Sequence, residues 1–128
     1  MRKVLIVDDD PDLLSGLDHL LRERYEVFLA ASGDEALEVL GDQQIDVVLL
    51  DMLMPRLDGQ SVLKEIRAQA SPPAVIVVSA RPDLLASSMQ MGANDFLAKP
   101  FSIRRLEEKI ERSLDQSGQT RSLRQQTP

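Results

Sequence analysis

The chain has no cysteine and no tryptophan, and among its 128 residues there are one histidine, one tyrosine and three phenylalanines. Without cysteine there are no disulfides and no thiolate metal sites, which fits a cytoplasmic protein. With His19 as the sole histidine, multi-histidine metal sites are excluded and an internal His–Asp relay is not expected. The few aromatics give little material for stacking on nucleobases. Basic residues are outnumbered, 15 against 21 acidic, for a net charge of −6, which argues against direct binding of a nucleic-acid backbone. No apolar run approaches the roughly 18 residues of a membrane span, and no signal-peptide pattern opens the chain. Neither GxxxxGK[ST] nor GxGxxG occurs, so the common glycine-rich phosphate loops are missing.

What the chain does have is four short apolar runs, each broken by a particular polar residue. Val4 to Val7 ends at Asp8 and Asp9, and Val47 to Leu50 ends at Asp51. Val75 to Val78 ends at Ser79, and Asp95 to Ala98 ends at Lys99 and Pro100. In an open parallel α/β sheet, ligands bind beyond the carboxyl ends of the strands. Strand ends of this kind would gather three carboxylates, a hydroxyl and an ammonium, a set able to hold a divalent cation and accept a phosphoryl group.

Between these runs the pattern alternates strand and helix. Asp10-Pro11-Asp12 reads as N-cap, first helical position and dipole-complementing acid, followed by Leu13, Leu14, Leu17, Leu20 and Leu21 at helical spacing. A second strand is expected over 26–30, then a helix opened by Ser32 and stopped at Gly41. Met52 to Gly59 reads as a loop, followed by a third helix carrying Val62, Leu63 and Ile66. A fourth helix is expected from about Pro82 to Met91, and a last from Ile103 to Leu114. Five strands and five helices in alternation predict a doubly wound five-stranded parallel sheet. Residues 1–115 form the expected domain. Residues 116–128, polar and nearly without large apolar side chains, are expected to be a disordered tail or the start of a linker to an absent output domain.

Val7-Asp8-Asp9, the stretch DMLMPRLDG at 51–59, Ser79-Ala80 and GANDFLAKPF at 92–101 together resemble the receiver domain of two-component response regulators. The resemblance covers about residues 2 to 115. It implies the flavodoxin-like (CheY-like) fold with strand order 2-1-3-4-5. It also implies Mg²⁺-dependent phosphoryl transfer from a histidine kinase or histidine phosphotransfer protein to Asp51. By the same resemblance Asp9 would bind Mg²⁺ directly, Asp8 through a water, and Leu53 through its main-chain carbonyl, with Mn²⁺ able to substitute. Lys99 would neutralise the phosphoryl oxygens, and Ser79 would donate to them. Phe96 stands at the family's switch aromatic, and the bond before Pro100 is expected to be cis, aiming Lys99 inward. Leu53 and Arg81 occupy positions that tune phosphate lifetime, and slow self-dephosphorylation without enzymatic turnover is expected.

Each residue also has a plain structural alternative. Asp8 to Asp10 could cap a helix, Asp51 could open an Asx-turn, and Ser79 or Lys99 alone would pass as loop residues. Asp58-Gly59 reads as turn and cap chemistry, and His19 as a surface or packing residue. A phosphatase of the haloacid-dehalogenase type would need an acid at the position of Leu53. For partners, the face of helix four, strand five and helix five is expected to meet an output domain or protein. Leu84, Leu85, Met89 and Met91, with Asn94 in place of an acid, suggest an apolar surface there rather than a charged dimer. Homodimerisation is left open, and neither nucleic acid nor membrane is an expected partner of this domain.

Overall fold

The computed structural model describes the backbone of residues 1–54 and 57–126, and the side chains of residues 1–52 and 59–116. Five parallel strands form the central sheet: β1 (Lys3–Val7), β2 (Glu26–Ala30), β3 (Val47–Asp51), β6 (Ala74–Ser79) and β7 (Asp95–Ala98). Their order is β2-β1-β3-β6-β7, the 2-1-3-4-5 arrangement once only the sheet strands are counted. The helices α1 (Pro11–Leu21), α2 (Gly33–Asp42), α3 (Gly59–Arg67), α4 (Pro82–Gln90) and α5 (Ile103–Gln126) alternate with them.

Strand periodicity divides the core into two layers. Leu5, Val7, Val48, Leu50, Val75 and Val77 point to one face, where Ala36 of α2, Val62, Leu63 and Ile66 of α3 and Leu85 of α4 cover them. Val4, Ile6, Val47, Leu49, Ile76 and Val78 point to the other, under Leu14, Leu17 and Leu21 of α1 and Leu106, Ile110 and Leu114 of α5. Burying one such side chain contributes about 1.5–3 kcal/mol, so these layers can carry a polar site that costs stability.

The helix starts follow the expected chemistry. Asp10 accepts from the main-chain N–H groups of Asp12 and Leu13, and Pro11 opens α1. Ser32 accepts from the N–H of Glu35, whose carboxylate reaches back to the N–H of Ala31 at 2.6 Å.

Four details differ from expectation. Gly41 lies inside α2, which ends in an extended Gln43 whose N–H still bonds Val39, so no left-handed residue is needed there. Leu20 points outward, because the α1 stripe that meets the sheet is filled by Leu14, Leu17 and Leu21. The segment after Asp51 is not all loop: β4 (Leu53–Met54) and β5 (Leu57–Asp58) pair antiparallel with each other. Finally, the backbone of α5 continues past Leu114 to Gln126. Leu114 is the last residue of α5 in the core cluster, and main-chain hydrogen bonding carries the helix beyond it.

The α1–β2 turn is tied to α5 by polar contacts. The Tyr25 hydroxyl donates to the carboxylate of Glu111, and Arg24 pairs with Glu107 at 2.8 Å and with Glu111 at 3.5 Å. Burial, then the hydrogen bond and charge of Glu111, hold the Tyr25 phenol above its ordinary pKa. The stabilisation from the neutral phenol is therefore complete below pH about 10 and is lost as pH rises through the raised folded-state value. Tyr25→Phe should destabilise the fold by about 1.5 kcal/mol. In urea titrations the deficit should be constant from pH 6 to 9 and shrink in more alkaline buffer.

Candidate functional site

Parallel register sets the strand ends side by side. Val7 pairs with both Ala30 and Leu50, which puts Asp8 level with Asp51, the last residue of β3. Asp51 pairs with Val78 and Ser79 with Ala98, so Ser79 and Lys99 follow along the same edge. The main-chain N–H of Lys99 donates to the carbonyl of Ser79 at 3.0 Å, fixing the two strand ends together.

Asp8, Asp9 and Asp51 each present a carboxylate oxygen within 4.8 Å of the others. Asp8 and Asp51 are both only 4% exposed, while Asp9 faces solvent. One oxygen of Asp8 accepts from the N–H of Asp10 at 2.9 Å, which orients the carboxylate at the sheet edge. Asp10 does the capping of α1, so that role does not account for Asp8 and Asp9.

The Lys99 ammonium reaches Asp51 at 3.3 Å and Asp8 at 3.4 Å. Burial works against its charge, but the charges of Asp51 and then Asp8, with their hydrogen bonds, outweigh that cost. Its pKa is held above the ordinary lysine value, so Lys99 is charged at neutral pH. The peptide bond between Lys99 and Pro100 is cis. The donor set is hard oxygen, mostly buried and arranged around one small volume, which suits a divalent cation such as Mg²⁺.

The remaining residues stand at different distances from this centre. Ser79 is buried at the end of β6, and its Oγ accepts from the main-chain N–H of Arg81 at 3.0 Å. The Arg81 side chain turns away to Asp83, with Nε to Oδ1 at 3.2 Å and Nη2 to Oδ2 at 2.5 Å. Phe96 is 41% exposed and faces outward, with the Lys109 ammonium 5.2 Å from its ring centre. Lys109 is itself buried and pairs with Asp95 at 2.9 Å. Leu53 lies in β4, and its side chain, like that of Asp58, is outside the described residues.

On the α4 side, Leu85 is buried in the core, and Leu84 and Met91 pack against it. Met89 and Phe96 are the large apolar residues left exposed there, so the face is less apolar than the sequence suggests. Asn94 braces the start of β6, where its side-chain oxygen accepts from the N–H of Val75 at 2.8 Å and from Arg67 at 3.3 Å.

Sequence reasoning also missed the part played by Gly59. A Cβ there would lie 3.0 Å from the Met52 Cα and 3.3 Å from the Asp51 carbonyl oxygen. The glycine lets α3 start directly against the backbone that carries Asp51. A glycine after a turn residue reads as turn chemistry, and nothing local marks it as a close approach.

A family model for the response regulator receiver domain matches residues 4–111. The chain belongs to the response regulator receiver domain family. It is 41% identical over 120 residues to the transcriptional regulatory protein CpxR of Escherichia coli (strain K12), covering 91% of this chain and 51% of that protein. It is 39% identical over 111 residues to the probable transcriptional regulator ycf27 of Cyanidium caldarium, covering 84% and 44%. Among solved structures, a CheY-like receiver domain protein from Methanospirillum hungatei JF-1 superposes with a TM-score of 0.86 at 28% identity, covering 94% of this chain and 98% of that one. The chain thus spans about half the length of the curated relatives it matches. No helix among the described residues is long and apolar enough to cross a membrane.

Two substitutions test the site as built. Lys99→Met removes the cation from two buried carboxylates and should cost about 1–3 kcal/mol in metal-free buffer, less than a fully buried pair because Lys99 is partly exposed. Added Mg²⁺ should restore more stability to this variant than to the parent protein, read as the shift in melting temperature. Gly59→Ala should cost about 1–3 kcal/mol through overpacking against Met52 and Asp51, read by denaturant unfolding.

Proposed function

We propose that Asp51 is the phosphoacceptor of this receiver domain and that phosphorylation switches a protein–protein surface. The observation that carries this is the Lys99 ammonium resting on Asp51 and Asp8 beside a third carboxylate. A phosphoryl group approaching Asp51 meets a carboxylate whose repulsion is already partly cancelled. Asp9, Asp8, Asp51 and the main-chain carbonyl of Leu53 would hold Mg²⁺, or Mn²⁺ in its place. When bound, the ion supplies the charge neutralisation that a phosphoryl group needs in order to approach carboxylates.

The chain's own residues do the rest. Asp51 attacks phosphorus, the bond to the donor histidine or small-molecule carrier breaks, and Lys99 neutralises the oxygens in transit. Ser79, whose hydroxyl proton is free to turn, donates to the bound group. Phosphorylation adds about −1.5 to −2 charge at Asp51. Movement of Ser79 toward it vacates space beneath β7, and the outward Phe96 rotates in to fill it. Having no hydroxyl, Phe96 acts by shape alone. The face of α4, β7 and α5 changes with it and signals to an output domain or partner protein.

The phosphoryl donor is a histidine kinase or histidine phosphotransfer protein. Its docking face is α1 and the β7–α5 loop, where Leu13, Leu17, Leu20, Pro100, Phe101 and Ile103 line an apolar groove of about 510 Å³ next to Lys99. The protein works in the cytoplasm and is not a turnover enzyme: Leu53 cannot orient an attacking water, so self-dephosphorylation is slow.

Incubation with acetyl phosphate and Mg²⁺ should give a single phosphoryl adduct by intact mass. The adduct should be absent without Mg²⁺ and absent in Asp51→Asn. After donor removal it should decay over minutes or longer. An Asp51→Asn protein that still takes up phosphate would overturn the assignment, and loss within seconds would overturn the slow-turnover reading.

A further inference from the structure

Phe96 stands outward on β7 with 41% of its surface exposed, and a cation reaches its ring. β7 is an edge strand of the sheet. Its register sets Asp95 beside Ile76, in the layer under α1 and α5, and Phe96 beside Val77, in the layer under α2, α3 and α4. Lys109 of α5 meets both residues around that edge. Its Nζ lies 2.9 Å from Asp95 Oδ1 and 5.2 Å from the centre of the Phe96 ring.

The ammonium has little freedom. Lys109 is 8% exposed, and a buried ammonium is costly unless an anion pairs with it. Asp95 supplies that anion, and the same carboxylate oxygen accepts from the main-chain N–H of Phe96 at 2.8 Å. The charge is thus fixed at the root of the aromatic side chain, within the distance at which a cation attracts a ring face. Withdrawal of the ammonium from water strengthens such an attraction. An outward phenyl ring forgoes burial, and the Lys109 contact offsets part of that loss. The Phe96 side chain carries no hydroxyl, so no hydrogen bond of its own can choose between the two ring positions.

We propose that Lys109 is a positioning residue that holds Phe96 outward and thereby sets how much of the protein stands in the switched arrangement before any phosphoryl group arrives. This rests on the reading of Asp51 as phosphoacceptor and Phe96 as its switch. Inward rotation carries the ring away from the ammonium, while Asp95 keeps Lys109 in place. The contact therefore belongs to one of the two arrangements and biases the equilibrium between them. By linkage, whatever favours the outward ring weakens binding at Asp51 of any group that favours the inward one.

The test labels the full chain with para-fluorophenylalanine, which places fluorine at the three phenylalanines, Phe28, Phe96 and Phe101. Phe96→Leu identifies the Phe96 resonance, which reports the ring position. Phe101, which follows the Lys99–Pro100 bond, reports binding as beryllium fluoride, a stable mimic of the phosphoryl group, is titrated in with Mg²⁺. In Lys109→Met the Phe96 resonance should lie part-way to its bound position before any ligand is added. Affinity for beryllium fluoride should rise about three- to ten-fold, the range of a partly desolvated cation–π contact. Lys109→Gln keeps a hydrogen-bond donor toward Asp95 while losing the cation, and should move both readouts the same way. In a Phe96→Leu background, Lys109→Met should leave the affinity where Phe96→Leu alone puts it. Parent-like affinity in Lys109→Met or Lys109→Gln overturns the proposal. An equal gain with and without Phe96 also overturns it, making Lys109 a brace between α5 and β7. If the parent protein binds no beryllium fluoride, the phosphoacceptor reading fails and this proposal falls with it.

Discussion

Lys99 reaches Asp51 at 3.3 Å and Asp8 at 3.4 Å, and without that ammonium three carboxylates would crowd one end of the sheet. Everything at this edge is arranged around that constraint. The ammonium comes from the strand end two places from β3 in the sheet, so it arrives only when β6 lies between β3 and β7. Each of the two buried carboxylates is attractive to a cation and costly to the fold. Their cost is carried by two dense apolar layers in which Val, Leu and Ile are nearly all fully buried. A site that stores repulsion is also one that a divalent cation or a phosphoryl group can change sharply.

The same edge couples to the surface through Ser79, Arg81 and Phe96. Ser79 is bonded at both ends, its Oγ receiving the Arg81 N–H and its carbonyl receiving the Lys99 N–H. A displacement of Ser79 therefore draws on the start of α4 and the end of β7 together. Phe96 sits beside Lys109, which is held by Asp95, so the outward ring has a defined neighbour rather than open solvent. Under the proposed switch, inward rotation would trade that contact for burial, the kind of two-state element that a local charge change can bias.

Belonging to the receiver family does not name the protein's output. The curated relatives are about twice as long as this chain, and what their remaining halves do is a property of those proteins. Among the described residues, exposed apolar side chains include Leu20 at the rim of the groove beside Lys99 and the pair Met89 and Phe96. The groove is lined from α1 and the segment after β7, and the pair comes from α4 and β7.

The sequence alone determined the five strands of the main sheet, the helix starts and the identity of the residues at the strand ends. Those features are written in short-range patterns: apolar runs of four or five, Asp10-Pro11 and Ser32 as caps, and the polar residue that ends each run. Four motifs in a fixed order also carried the family and, with it, the cis bond before Pro100. What the tertiary structure decided were competitions between partners that no local pattern ranks. Leu84 and Leu85 looked like surface material until the sheet drew both toward the core. Arg81 pairs with Asp83, two residues on, a choice of partner that no local pattern marks. Gly59 looked like turn chemistry, and its real constraint is the approach of α3 to the backbone at Asp51. Exposure and pairing depend on which groups arrive in the same place from distant parts of the chain, and that is settled only when the sheet has assembled.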